Sequence, residues 1–250
     1  MEHQRKNVGF KPLDSIIPDG VHAGDQILVS GTPGTGKTLL AMQFISEAAR
    51  AGETGIYATF ESSTGYLTEQ AERLGLGVRE LAANGKLEII RLDPSDLYAA
   101  FDDLKEHVKK LGAKRLVIDS VSIMTVYASS YRNLPEDMIE FLKKTTHQPP
   151  IAMGDGIKKQ MIYYMLEEIR KLGCTTILIS ELPKNSEWYS RDTVSEFICD
   201  GIILLDQQIL GEENVLRTVT VVKLRGGDYK GGVHEFIIKK GKGIVVKNSS

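Results

Sequence analysis

The chain has 250 residues, with 31 Lys and Arg against 33 Asp and Glu, a net charge of −2. That balance removes a global electrostatic case for nucleic acid or an anionic membrane and leaves only local basic patches open. No run approaches the roughly 18 continuous apolar residues of a membrane span, and no apolar segment follows Met1–Lys6 as in a signal peptide; the two cysteines, Cys174 and Cys199, form no Cys-x-x-Cys. A cytoplasmic chain with buried thiols is expected. The five histidines, His3, His22, His107, His147 and His234, never pair at metal-ligand spacing, which argues against a zinc site. His107, four residues after Asp103, reads as half of a solvated surface pair.

In chain order, residues 1–25 carry Pro12, Pro18, Gly20 and Gly24 and read as an N-terminal arm. Gln26–Ser30 is a short apolar run, a buried strand. Gly31-Thr32-Pro33-Gly34-Thr35-Gly36-Lys37-Thr38 follows, a full Walker A pattern. Leu39 then opens the apolar stripe of a helix through Ile45. Strand, loop and helix supply the context such a pattern needs: glycines let backbone N–H groups curl around a polyphosphate, and the helix N-terminus adds its dipole. Residues 31–39 are therefore the expected nucleotide-binding segment. Lys37 is expected to reach the β- and γ-phosphates, and the Thr38 hydroxyl to hold Mg²⁺.

Gly55–Phe60 is a second strand. Leu67, Ala71 and Leu74 recur at helical spacing up to Gly75, and Leu87–Leu92 is a third strand. Asp93-Pro94 reads as cap and first turn of the next helix, whose face is Leu97, Phe101, Leu104, Val108 and Leu111, closed by Gly112. Arg115–Asp119 is a fourth strand. Thr145–Gly156 reads as an exposed loop, and Ile157, Met161, Met165, Ile169 and Leu172 as a helix. Thr175–Ser180 and Gly201–Asp206 are the fifth and sixth strands. Val215–Leu224 and His234–Lys239 flank a Gly-rich turn and form a hairpin; Gly243–Val246 adds a strand, and Asn248–Ser250 frays. Strands separated by helices imply an α/β fold, a mostly parallel sheet covered on both faces with a C-terminal β-hairpin. The expected division is residues 1–25 as the arm, 26–247 as one domain and 248–250 as a tail.

In such a sheet the ligand lies beyond the carboxyl ends of the strands. Phe60-Glu61-Ser62-Ser63, Asp119-Ser120 and Ser180-Glu181 turn polar there. Asp119 stands as a Walker B aspartate does and would share Mg²⁺ with Thr38. Glu61 is the candidate that polarises an attacking water. Lys223 and Arg225 share one face of a late strand; they read either as a solvated edge or as a finger completing a neighbour's site. The chain has no Asn-Lys-x-Asp, which favours adenine over guanine by elimination.

Taken together these residues resemble the KaiC-type branch of the RecA superfamily of ATPases, from about Val8 to Val246. Gly9-Phe10-x-x-Leu13-Asp14 leading to Gly24-Asp25, the Gly31–Thr38 loop, Thr59-Phe60-Glu61, Arg115–Ser120 and Lys223-Leu224-Arg225-Gly226 with His234 carry the match. The resemblance implies a RecA-like P-loop core, a ring (often hexameric), ATP with Mg²⁺ bound between subunits, and Lys223 and Arg225 acting in trans as catalytic residues beside Lys37 and Glu61. The clock proteins of that branch carry two such domains in tandem, and a second glutamate where Ser62 stands here. Slow ATP hydrolysis in a ring that drives or senses a protein partner is the leading expectation. One alternative is a recombinase-type ATPase stimulated by single-stranded DNA, with Tyr127–Asn133 and Pro183–Glu196 as the DNA loops. Glu187, Asp192 and Glu196 weigh against DNA there. The other alternative is an autokinase-type signalling protein.

Overall fold

The computed structural model describes residues 6–128, 155–211 and 214–247. The centre of these described residues is a nine-stranded sheet. β1 (Asn7–Val8) and β2 (Val21–His22) pair outside it. The sheet then takes β3 (Gln26–Gly31), β4 (Gly55–Thr59), β5 (Leu87–Arg91), β6 (Arg115–Asp119), β7 (Thr175–Glu181), β8 (Gly201–Leu210), β9 (Asn214–Leu224), β10 (His234–Lys239) and β11 (Gly243–Val246). The spatial order is β11-β10-β9-β8-β3-β7-β6-β4-β5. The strands from β8 to β5 run parallel; β9, β10 and β11 continue the sheet antiparallel.

Strand alternation divides the core into two layers. Ile27, Val29, Tyr57, Val117, Ile177, Ile179, Ile203 and Leu205 face one side, against Phe10, Leu13 and α1 (Lys37–Arg50). Leu28, Ile56, Ala58, Leu116, Ile118, Leu178 and Ile202 face the other, against α4 (Leu97–Leu111), α5 (Val121–Ala128) and α6 (Asp155–Lys171). The smaller helices are α2 (Thr64–Arg73), α3 (Val78–Ala83) and α7 (Ser195–Ile198). A parallel sheet covered on both faces needs strands apolar on both, and β3, β4 and β6 are buried throughout.

Several expectations change. Asp93 does not cap α4. Asp96 does, its Oδ1 accepting from the Ala99 N–H at 3.1 Å, while Asp93 Oδ1 accepts from the Ser95 N–H and closes the preceding turn. The helix starts one turn later, where Asp96 rather than Asp93 stands before its first free N–H groups. Phe10, Leu13, Ile16 and Ile17 of the expected arm are fully buried, with the Phe10 and Phe44 rings 4.9 Å apart. The expected hairpin of β9 and β10 is present, and β8 runs on to Leu210 in a long ladder with β9, so the hairpin is part of a larger meander. Gly156 lies within α6. Residues 145–154 of the expected loop and the tail 248–250 lie outside the described residues, and no helix among those described is long and apolar enough to cross a membrane. His107 meets both Asp103, at 3.5 Å, and Glu88, at 3.0 Å. Both cysteines are buried and unpaired, and burial pushes the Cys174 thiol up to about 11.

Candidate functional site

β3 delivers the chain into the phosphate loop at the carboxyl edge. Gly34 (φ +85°) and Gly36 (φ +103°) take left-handed backbone that side chains resist, and Gly36 caps α1. Thr35 Oγ1 donates to the Thr32 carbonyl at 2.9 Å. The loop borders a cavity of about 380 Å³ lined by Gly34, Gly36, Lys37, Thr38, Leu39, Glu61, Asp119 and Glu181 among others. Lys37 is buried. Its Nζ donates to the Gly31 and Thr32 carbonyls at 2.9 and 3.0 Å and lies 3.9 Å from Glu181. Burial lowers the Lys37 ammonium from its ordinary value, opposed by Glu181, Asp119 and Glu61.

The other strands bring carboxylates to the same cavity. Thr38 Oγ1 donates to Asp119 Oδ2 at 3.2 Å, and Tyr57 Oη to the same oxygen at 2.6 Å. Burial pushes the Asp119 carboxyl up to about 6, against the hydrogen bonds from Tyr57 and Thr38; burial beside Asp119 holds the Tyr57 phenol well above its usual range. Glu61 leaves β4 through a turn in which Thr59 Oγ1 accepts from the Glu61 and Ser62 N–H groups at 3.2 and 3.1 Å. Its Oε1 accepts from Ser120 Oγ at 2.5 Å. Lys37, Thr38, Glu61 and Asp119 thus gather at one place.

Thr38 and Asp119 fit Mg²⁺: a hydroxyl and one carboxylate, hard oxygens 3.2 Å apart beside a phosphate loop, suit an ion that keeps several waters and takes few protein ligands. No cluster of three or more His, Cys, Asp or Glu able to hold a metal occurs among the described residues.

Lys223 and Arg225 are not brought to this cavity. β9 ends beside the start of β8, Leu224 opposite Gly201, whereas the phosphate loop begins at Gly31, opposite Leu205. Four residues of strand, about 13 Å at ~3.3 Å each, separate the two levels. Lys223 Nζ donates to the Glu196 and Cys199 carbonyls at 3.1 and 2.6 Å; Arg225 donates to the Phe197 carbonyl at 3.0 Å and lies 3.8 Å from Asp200. Burial, then the neighbouring Arg225, lowers the Lys223 ammonium.

In the Pro183–Glu196 loop, Asp192 and Glu196 do not face outward as DNA-repelling acids. Both are buried: Glu196 Oε2 accepts from the Tyr189 and Ser190 N–H groups at 2.6 and 2.7 Å, and Asp192 from Val194, Ser195 and Ser190. Ser30 and Ser180, paired across β3 and β7, bond the loop backbone at Tyr189 and Arg191. Trp188 is 48% exposed and sits against the exposed Phe197. Tyr127 lies in α5, and residues 129–133 of the other expected loop fall outside the described residues. Sequence reasoning assigned no role to Tyr57 or Glu181. The signal was available in part: Tyr57, Thr59, Val117, Asp119 and Glu181 share a sheet face by alternation.

The fold and the phosphate loop together define a P-loop protein with a RecA-like core, its mostly parallel sheet flanked by helices. The family model of the KaiC ATPase matches residues 7–148 and 152–250, and the chain belongs to that family. Among curated proteins it is 25% identical to the circadian clock protein KaiC3 of Synechocystis over 97% of this chain and 45% of that one. It is 29% identical to the circadian clock oscillator protein KaiC of Thermostichus vulcanus over 93% and 42%. The chain therefore spans less than half the length of these relatives. A crystal structure of a KaiC-like protein from the hyperthermophilic archaeon Pyrococcus horikoshii OT3 superposes with a TM-score of 0.75 at 28% identity, covering 98% of this chain and 99% of that one.

Proposed function

We propose that this chain is a Mg²⁺-dependent ATP hydrolase that works as a ring of identical subunits, each phosphate site completed by Lys223 and Arg225 of a neighbour. The observation that carries the reading is the split between the two sheet edges. Lys37, Thr38, Glu61 and Asp119 converge on one cavity, while the two cations sit at the opposite edge of the same sheet.

Lys37 turns from the Gly31 and Thr32 carbonyls toward the β- and γ-phosphate oxygens, which accept its protons more strongly than neutral carbonyls do. Glu61, oriented by the Ser120 hydroxyl, takes a proton from the attacking water. Thr38 and Asp119 would hold Mg²⁺, which when bound would neutralise charge on the phosphates. Arg225 of the neighbour meets the charge that develops on the transferred group. A single glutamate serves as base because Ser62 stands beside it. By analogy with the family, we read the ring as a cytoplasmic regulator whose nucleotide state is read by a protein partner.

Recombinase-type action on single-stranded DNA is the second reading, supported by the exposed Trp188 and Tyr189 with Lys184 and Arg191 nearby in sequence, now that Asp192 and Glu196 turn inward. Turnover measured with and without single-stranded DNA, alongside light-scattering mass with and without ATP, separates the two. Mg²⁺-dependent turnover indifferent to DNA in an ATP-stabilised oligomer supports the first; salt-sensitive DNA binding with stimulated turnover replaces it by the second.

A further inference from the structure

Tyr57 is the largest fully buried side chain among the described residues, and its hydroxyl has no part in the chemistry above. Its position follows from register. β4 and β6 are parallel neighbours with Tyr57 opposite Val117 and Thr59 opposite Asp119. Tyr57 and Asp119 are therefore diagonal neighbours on the face that carries α1. Such a diagonal spans roughly 7–8 Å between backbones, within reach of an aromatic side chain but of few others. The phenol crosses it and donates to Asp119 Oδ2 at 2.6 Å, shorter than the 3.2 Å bond from Thr38 to the same oxygen. The ring is held among apolar residues of the α1-side core, so the donor is fixed rather than swinging.

This matters because the two donors on that oxygen are not equivalent. Thr38 is the hydroxyl expected to turn toward a cation, and when it does Asp119 loses that restraint. Tyr57 does not reach the cavity: its ring is buried and it is absent from the cavity lining. Of the two side-chain donors to Asp119 Oδ2 among the described residues, it is the one anchored in the core rather than on the phosphate loop.

We propose that Tyr57 is a positioning residue of the divalent-cation site: its hydroxyl holds the Asp119 carboxylate in the orientation that, together with Thr38, receives the cation. The proposal rests on the assignment of Thr38 and Asp119 to Mg²⁺. It predicts a specific pattern of loss, because outer-shell partners of metal ligands typically contribute about 10–100-fold in metal affinity.

The test uses the full chain, with Tyr57→Phe, which keeps the ring and its packing, and Asp119→Asn as reference. Mn²⁺ binding in the presence of a non-hydrolysable ATP analogue is followed by electron paramagnetic resonance. Analogue binding in EDTA and the thermal midpoint are measured beside it. Expected is a weakening of Mn²⁺ binding by about 10-fold or more in Tyr57→Phe, with analogue binding in EDTA and the thermal midpoint close to wild type, and with turnover recovering at high Mg²⁺. Wild-type Mn²⁺ affinity in Tyr57→Phe, with Asp119→Asn impaired, overturns the positioning role alone. Unchanged Mn²⁺ binding in Asp119→Asn removes the cation assignment beneath it. A Tyr57→Phe protein that loses analogue binding in EDTA and melts early marks the tyrosine as a packing residue and also overturns the proposal; in that event Thr38→Val, which spares the core, reports on the cation assignment separately.

Discussion

The two edges of the sheet use the same strands for opposite purposes. At the carboxyl edge side chains hold one another, Tyr57 and Thr38 holding Asp119 and Ser120 holding Glu61, beside a lysine that rests on the Gly31 and Thr32 carbonyls. At the amino edge the two cations hold backbone. Lys223 and Arg225 lie on the carbonyls of Glu196, Phe197 and Cys199, and Asp200 accepts from the Gln26 N–H and from Arg170. Connections diverge at the first edge and leave a cavity; at the second they return and must be capped. A cavity lined by mutually oriented groups is ready for a ligand. Cations resting on neutral carbonyls exchange that partner readily for an anionic oxygen, since charge-assisted bonds are roughly twice as strong.

The largest break in that comparison is Lys37→Ala. Calorimetric titration with ATP should show no binding and turnover should vanish, with circular dichroism unchanged. Lys37 itself lines the cavity, so water can enter the space it vacates beside the Gly31 and Thr32 carbonyls.

Next is Arg225→Ala. Loss of a finger supplied in trans is worth about 10³ or more in turnover. The side chain is 55% exposed and its Asp200 contact is long, so the thermal midpoint should barely move. Mixing with Lys37→Ala should recover part of the activity, because an intact loop can then face an intact arginine. Verified subunit mixing without recovery would return Arg225 to a capping role at its own edge.

Glu61→Gln should keep ATP affinity and lower turnover by about 10²–10⁴. Full activity there would leave the glutamate as an ornament of the turn held by Thr59. Ser120→Ala sharpens the comparison more finely. It removes one hydrogen bond to a charged group, about 1.5 kcal/mol, and so about tenfold in turnover, with ATP binding retained.

The smallest effect concerns the half-exposed Trp188. Trp188→Ala should change the thermal midpoint little, and the wild type should bind single-stranded DNA weakly near about 150 mM salt, given a net charge of −2. Submicromolar, salt-sensitive binding lost in the variant would promote the DNA reading.

The amino-acid sequence alone determined whatever depends on consecutive residues. The phosphate loop between Ser30 and Leu39 is one such element, because backbone conformation there is local and the glycines dictate it. The strand ends at Glu61 and Asp119 were legible from apolar runs meeting acids. The strand face read for Lys223 and Arg225 was not, because β9 ends at Leu224 and Arg225 lies just past it. Tertiary structure decided the rest. That Tyr57 reaches Asp119, and that Glu181 stands by Lys37, follow from inter-strand register, which no single segment encodes. That Asp192 and Glu196 point inward follows from the unpaired N–H groups of their own loop, which had to be satisfied once the chain was packed against β3 and β7. That Asp96 and not Asp93 caps α4 turned on which aspartate the packed helix left one turn from its first free N–H. Local chemistry names the groups a site can use; the register of distant strands decides which of them meet.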